Sequence, residues 1–261
     1  MLTRESIERM GSPLARQLEL HAEIGSTQER ARELARAGAP HGTLVISRIQ
    51  TGGRGRHSRI WASPLGGLWM SVVIRSELGV RHASRITQAA AVGVAKALRS
   101  LEVPASIKWP NDLLVEGRKV CGILAASSPH TAVPGGPVSA TDVVILGVGL
   151  NANLDPQDLG ASDNEVATIR TELGRDVEEN LLLKTLLSHL EFELGRLKDF
   201  DGILVDWRKL NCTLGERVRV RKSGKTLEGV AVDLSPEGAL ILSTGKQILE
   251  LFEGDVEHVR L

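Results

Sequence analysis

Cysteine is scarce in this 261-residue chain: Cys121 and Cys212 stand far apart, with no redox or metal-binding spacing. The seven histidines are scattered without ligand pairs. Reduced thiols in a cytoplasm are the expectation. No apolar run approaches the length of a bilayer span, and the first ten residues, Met1 to Met10, mix charges with apolar side chains where a secretory core would be continuous. A cytoplasmic protein, neither exported nor membrane-bound, is therefore expected. Net charge is lacking as well: 32 lysines and arginines balance 32 aspartates and glutamates, so no global field draws nucleic acid or an acidic membrane. There is no internal repeat and no low-complexity tract.

What the chain does have is 42% hydrophobic residues, enough for one sizeable core and a small second domain. The densest feature is Gly52-Gly53-Arg54-Gly55-Arg56-His57-Ser58-Arg59-Ile60-Trp61, with three glycines and three arginines in ten residues. Glycines let the backbone bring bare amides near a ligand, and guanidinium forks grip phosphate or carboxylate oxygens in pairs. A solvated loop or a nucleic-acid patch would use the same residues. The flanks favour a positioned anion loop, because Thr43 to Ser47 and Leu68 to Ile74 both read as buried strands.

Ser26-Thr-Gln-Glu29 reads as a capping box opening a helix that runs to Ala37 and is closed by Gly38. Ser84 to Leu101 carries apolar residues at helical spacing. Strands are expected at Ser106 to Trp109, Leu113 to Val115 and Lys119 to Ala125, the last two joined by a Glu116-Gly117 hairpin turn. Val143 to Leu150 is apolar enough for the centre of a sheet, while Ser127 to Ala140 reads as a surface loop. Helices follow at Leu181 to Leu197 and Phe200 to Leu210. From Thr213 the texture changes to short alternating segments, Arg217 to Arg221, Thr226 to Leu234, Ala239 to Leu242 and Gln247 to Phe252, the pattern of a small β-barrel. The domain boundary is placed near Cys212, giving 1–212 and 213–261.

A second motif, Lys108-Trp-Pro-Asn-Asp112, joins two of these strands, and Lys119 follows seven residues later. Proline and the Asn-Asp pair suit a tight turn on structural grounds alone. Lys119 interrupts a run otherwise bound for the core, so its ammonium must meet a carboxylate, a phosphate or water. Placement on an edge strand is the plain alternative.

Taken together, Gln50-Thr-Gly-Gly-Arg-Gly-Arg56 with Trp61, Lys108-Trp-Pro-Asn-Asp112, Arg118-Lys119 with Gly122-Ile-Leu124, and Gly147-Val-Gly-Leu-Asn151 resemble the biotin protein ligases, with the four blocks in family order. The resemblance implies an α/β (α+β) fold, a mixed sheet with packed helices followed by an SH3-like barrel. It implies ATP and biotin as substrates, with Mg²⁺ assisting. Biotin's carboxylate attacks the α-phosphate of ATP to give biotinyl-5′-AMP and pyrophosphate, and a lysine of a biotin carboxyl carrier protein then expels AMP. No protein nucleophile is needed, in keeping with the absence of Ser-His-Asp or Cys-His patterns.

By the same resemblance, Ser26, Thr27 and Gln50 bond the biotin rings, with Gly53, Arg54 and Gly122 lining the site. Gly147 and Gly149 bring strand backbone close to the ligand. Arg56 holds the adenylate phosphate, Lys119 sits between the carboxyl oxygen and the α-phosphate, and Trp61 packs near adenine. Asn111, Asp112 and Asn151 face the nucleotide and metal region, Asp112 among the catalytic groups, with the metal's ligands unassigned. The chain departs from the pattern at Ser58, where glycine is usual, and at Ala125-Ala126, where an acidic residue often stands.

Only some twenty residues precede the ligase homology, so a dedicated ligase without a DNA-binding repressor role is expected. A homodimer through the sheet is a further expectation, as is a basic loop that orders when ligand arrives, while Trp69 and Val72 read either as an exposed strand face serving the dimer or as core. Two other readings stay open: a lipoate or octanoate transfer enzyme, and a catalytically silent biotin sensor or DNA-binding regulator.

Overall fold

The computed structural model describes residues 1–76, 83–128, 142–161, 165–222 and 224–259. Most of the segment read as a surface loop, 129–140 of 127–140, lies outside them. Seven strands form one mixed sheet: β1 (Gln17–Ile24), β2 (Thr43–Gln50), β3 (Leu68–Ser76), β4 (Ser106–Lys108), β5 (Asp112–Val115), β6 (Arg118–Ser128) and β7 (Asp142–Leu150). Their order is β1-β2-β3-β7-β6-β5-β4, with β1 parallel to β2 and every other pairing antiparallel. The apolar run at 143–150 thus takes the middle of the sheet, as its composition demands.

The helices are α1 (Arg4–Glu8), α2 (Thr27–Arg36), α3 (Ala83–Ser100), α4 (Ile169–Leu173), α5 (Glu179–Gly195) and α6 (Phe200–Leu210). Pleating sends alternate residues of β7 to opposite faces. Val144, Leu146, Val148 and Leu150 join the main core with α3, α5 and α6. Val143 and Ile145 face α2, packing with Ala31, Ala35, Val45 and Val73. Along that second face the next alternate positions are Gly147 and Gly149, so the layer of side chains stops where α2 begins. A groove is left over the sheet at that point.

A second sheet, β8 (Arg217–Lys222), β9 (Lys225–Leu234), β10 (Leu240–Ser243), β11 (Ile248–Leu251) and β12 (Asp255–His258), is antiparallel in the order β11-β10-β9-β8-β12. It docks on the first through buried groups: Trp109 donates its amide to Thr213 Oγ1 (3.0 Å) and its indole nitrogen to the Gly238 carbonyl (3.4 Å). Among the described residues no helix is long and apolar enough to cross a membrane.

Two open readings close and one expectation changes. Trp69 and Val72 have no exposed surface and belong to the core, because β3 is covered on both faces. Lys119 lies on an interior strand between β5 and β7, which removes the edge-strand reading. At α2, Ser26 Oγ accepts from the Glu29 amide (3.4 Å), but the Glu29 carboxylate turns to Arg32 (2.5 Å) instead of reaching back. The helix is capped on one side only.

Candidate active site

The groove opens into a cavity of about 250 Å³, with Gly147 and Gly149 in its lining. Its floor is polar and connected. Thr27 donates its amide to Gln50 Oε1 (2.8 Å), and its hydroxyl lies 3.0 Å from the same oxygen and 2.9 Å from Ser71 Oγ. Ser71 Oγ reaches Gln28 Oε1 (3.2 Å), and Gln28 Nε2 donates to the Ile145 carbonyl (2.9 Å). Gln50 Nε2 donates to Ser63 Oγ (2.9 Å), and Ser63 donates to the Trp61 carbonyl (3.0 Å). One polar chain therefore runs from the sheet to the basic loop, and such satisfied networks hold donors and acceptors in fixed places.

The glycines explain themselves by what stands above them. A Cβ on Gly147 would meet Gln28 Oε1 at 2.4 Å, and one on Gly149 would meet Trp61 Nε1 at 2.5 Å. The indole lies across Gly149 and its β6 partner Gly122, edge-on to Trp69 at 6.4 Å between ring centroids. Trp61 Nε1 is buried and, among the described residues, has no hydrogen-bond partner. Gly53 lies beneath the loop, where a Cβ would strike the Trp61 carbonyl at 2.4 Å.

Lys119 reaches the cavity through a β-bulge. On β5, Leu113 faces Cys121 and its neighbour Leu114 faces Lys119, so Val120 is an extra residue on β6. Val120 and Cys121 are both fully buried in the core, which turns Lys119 and Gly122 to the same side. The ammonium then lies 2.7 Å from Asp112 Oδ1 and 5.0 Å from the Trp61 ring centroid. Burial pushes the Cys121 thiol up, so it packs as an inert apolar group.

The second cation comes from the loop. Arg54 pairs with Ile60 in an isolated bridge, Gly55 donates to the Arg59 carbonyl (2.8 Å), and His57 and Ser58 both take left-handed backbone, with φ of 53° and 58°. Arg56 Nη1 donates to Asn111 Oδ1 (3.2 Å) and to the Gly254 carbonyl (3.0 Å). Burial pulls its pKa below the ordinary arginine value, and Asp255, Asp112 and Glu253 oppose that fall; the group stays charged. Asn111 and Asp112 are consecutive, so one turn holds Arg56 with the first residue and Lys119 with the second.

Of the residues singled out from the sequence, Ser26, Thr27, Gln50, Arg54, Arg56, Trp61, Asn111, Asp112, Lys119, Gly122, Gly147 and Gly149 all line this cavity. Gly53 and Asn151 do not. Asn151 sits behind Lys119, 2% exposed, donating its amide to the Val120 carbonyl (2.9 Å) and Nδ2 to the Lys119 carbonyl (3.2 Å). Sequence reasoning missed Gln28, Ser71 and Asp255, and counted Arg59 among the loop's arginines without a role of its own. Gln28 and Ser71 were readable as polar residues on buried faces, whereas nothing local marks Asp255.

The basic loop, the glycine pair and the bulged lysine all fall within residues 22–151, which match the model of the Biotin/lipoate A/B protein ligase family, and 213–259 match the Biotin protein ligase C terminal domain. A biotin–[acetyl-CoA-carboxylase] ligase of Mycobacterium tuberculosis is 33% identical over 94% of this chain and 90% of its own length. The chain belongs to the biotin protein ligases. A second biotin protein ligase relative, the bifunctional ligase/repressor BirA of Bacillus subtilis, is 34% identical over 91% of this chain and 72% of its own. Among solved biotin protein ligases, the Aquifex aeolicus enzyme in complex with biotin and ATP superposes with a TM-score of 0.78 at 27% identity, covering 94% of this chain and all of that one.

Proposed function

We propose that this cavity joins biotin to ATP and then passes the biotinyl group to a lysine of a biotin carboxyl carrier protein. The observation that carries the reading is the convergence of Lys119 and Arg56 on one cavity through the Asn111-Asp112 turn. A carboxylate and a triphosphate repel, and preorganised cations between them lower the barrier to their joining. Biotin's rings would lie on the Thr27, Gln50 and Ser26 side, with its carboxylate toward Lys119. A carboxylate oxygen attacks the α-phosphorus, the bond to the bridging oxygen breaks, and pyrophosphate leaves. Lys119 neutralises the oxygen shared by the two groups, and Arg56 grips the adenylate phosphate. In the second step the carrier amine attacks the acyl carbon, gives up a proton, and AMP departs.

Mg²⁺ suits this donor set as an ion carried in on the triphosphate, since no group of three histidine, cysteine, aspartate or glutamate side chains clusters among the described residues. Asp112, facing the cavity, would hold it, and bound there it would neutralise phosphate charge. On this reading residues 1–212 carry the chemistry and 213–261 close one side of the site. A homodimer, the association the resemblance implies, would use a face other than Trp69 and Val72; sedimentation equilibrium measures it.

Incubating the purified protein with biotin, ATP, Mg²⁺ and a carrier domain should add one biotinyl group to the carrier by mass spectrometry, with lipoate a poor substitute. Unchanged carrier mass with no pyrophosphate released would overturn the reading. Neutralising Lys119 to methionine should slow adenylation by roughly 10–10³-fold, because its partner charges lose their compensation.

A further inference from the structure

We propose that Asp255, on the second sheet, is a positioning residue for the adenylation loop: it tethers Arg59 and Arg56 across the mouth of the cavity, so that adenylate is retained until the carrier arrives. This rests on the adenylating activity proposed above. The carboxylate sits at the start of β12 and lines the cavity with the loop. One oxygen is ion-paired with the Arg59 guanidinium, and the other lies 4.0 Å from Arg56 Nη1. The Gly254 carbonyl next to it accepts from that same nitrogen at 3.0 Å.

The tether is unlike a surface ion pair. Asp255 is one-quarter exposed and Arg56 one-fifth, whereas Arg59, at 64%, stands at the rim. A half-buried guanidinium needs a counter-charge before phosphate arrives, and Asp255 stands first among the carboxylates that supply it. Arg56 meets Asn111, the Gly254 carbonyl and Asp255 through Nη1, so the tether does not call on its Nε and Nη2 edge, the side suited to a bidentate grip on phosphate. The loop's own bonds, the Arg54–Ile60 bridge and that from Gly55 to the Arg59 carbonyl, close it on itself, and its tip, with two consecutive left-handed residues, meets the second sheet through Gly254 and Asp255. Without the tether, Arg56 keeps only its bonds to Asn111 Oδ1 and the Gly254 carbonyl, and the loop that carries it is held less firmly over the site before transfer.

The test compares Asp255→Asn, which keeps the shape and removes the charge, with Asp255→Glu and with Arg59→Ala, which cuts the tether at an exposed residue and spares the second sheet. Each is given biotin, ATP and Mg²⁺, and free biotinyl-AMP released to solvent is measured against biotin transferred to a carrier domain. Asp255→Asn and Arg59→Ala should each raise the ratio of released adenylate to transferred biotin by about 10-fold, and Asp255→Glu should restore it. The change should vanish when Arg56→Ala is already present. A purely structural role would lower thermal stability and total turnover and leave that ratio alone. Wild-type partitioning in Asp255→Asn, or the same increment on the Arg56→Ala background, overturns the proposal, and if Asp255→Asn does not fold, Arg59→Ala decides alone. Failure of the wild type to make adenylate would instead strike the proposed function.

Discussion

Asn151 works from behind the cavity wall. Its side chain and amide bond the carbonyls of Lys119 and Val120, the two residues around which the strand bulges. Asn151→Ala should cost about 1–3 kcal/mol of stability, since it removes the Nδ2 bonds to the Lys119 carbonyl and to the Ala167 carbonyl (3.1 Å) inside the core, and should lower kcat more than it raises KM. Thermal melting and steady-state pyrophosphate release measure the two effects. At Ser58 the left-handed backbone favours glycine, the residue usual at this place in the family's loop. Ser58→Gly should therefore be tolerated, while Ser58→Val should destabilise by about 1–2 kcal/mol, read from denaturant midpoints. Glu19 sets part of the acid response. Hydrogen bonding to Arg30 outweighs burial and, with His21, lowers its pKa from 4.5 to about 2. The folded state thus binds its proton more weakly than the unfolded one, so the stabilisation is whole above about pH 4.5 and is lost as pH falls toward 2. Glu19→Gln should flatten that limb of a stability–pH curve.

Elements with a regular period were legible and irregular ones were not. The helix at Phe200–Leu210 and the hairpin at Glu116-Gly117 follow from spacing and turn chemistry, the turn having both residues at positive φ. β1 escaped notice because only Leu18 of its eight residues is buried, and β12 because Val256 is its one buried residue. The bulge at Val120 was equally silent: Lys-Val-Cys-Gly gives no period that tells where the extra residue falls. Yet it decides the chemistry, since strict alternation without the bulge would put Lys119 and Gly122, three residues apart, on opposite faces of the sheet.

Over the whole molecule, what could be read was the set of chemical groups and what could not was their meeting. Arg56 and Asn111 stand in motifs that flag themselves, whereas Asp255 sits in a segment with no marked composition and gains its meaning only from the docking of one sheet on the other. Gly254, beside Asp255, has a φ of 153° and packs against β8, where a Cβ would fall 2.5 Å from Val220 Cγ1. Gly254→Ala should therefore lower the melting temperature and raise the KM for ATP together. The Arg56 bond to the Gly254 carbonyl also spans 198 positions. On a ribosome adding about 5–20 residues per second, roughly 10–40 s separate the emergence of the two partners. A nascent chain therefore displays its arginine loop well before it can clamp it, and a chain cut short ahead of Gly254 keeps most of the cavity's walls but never gains the clamp.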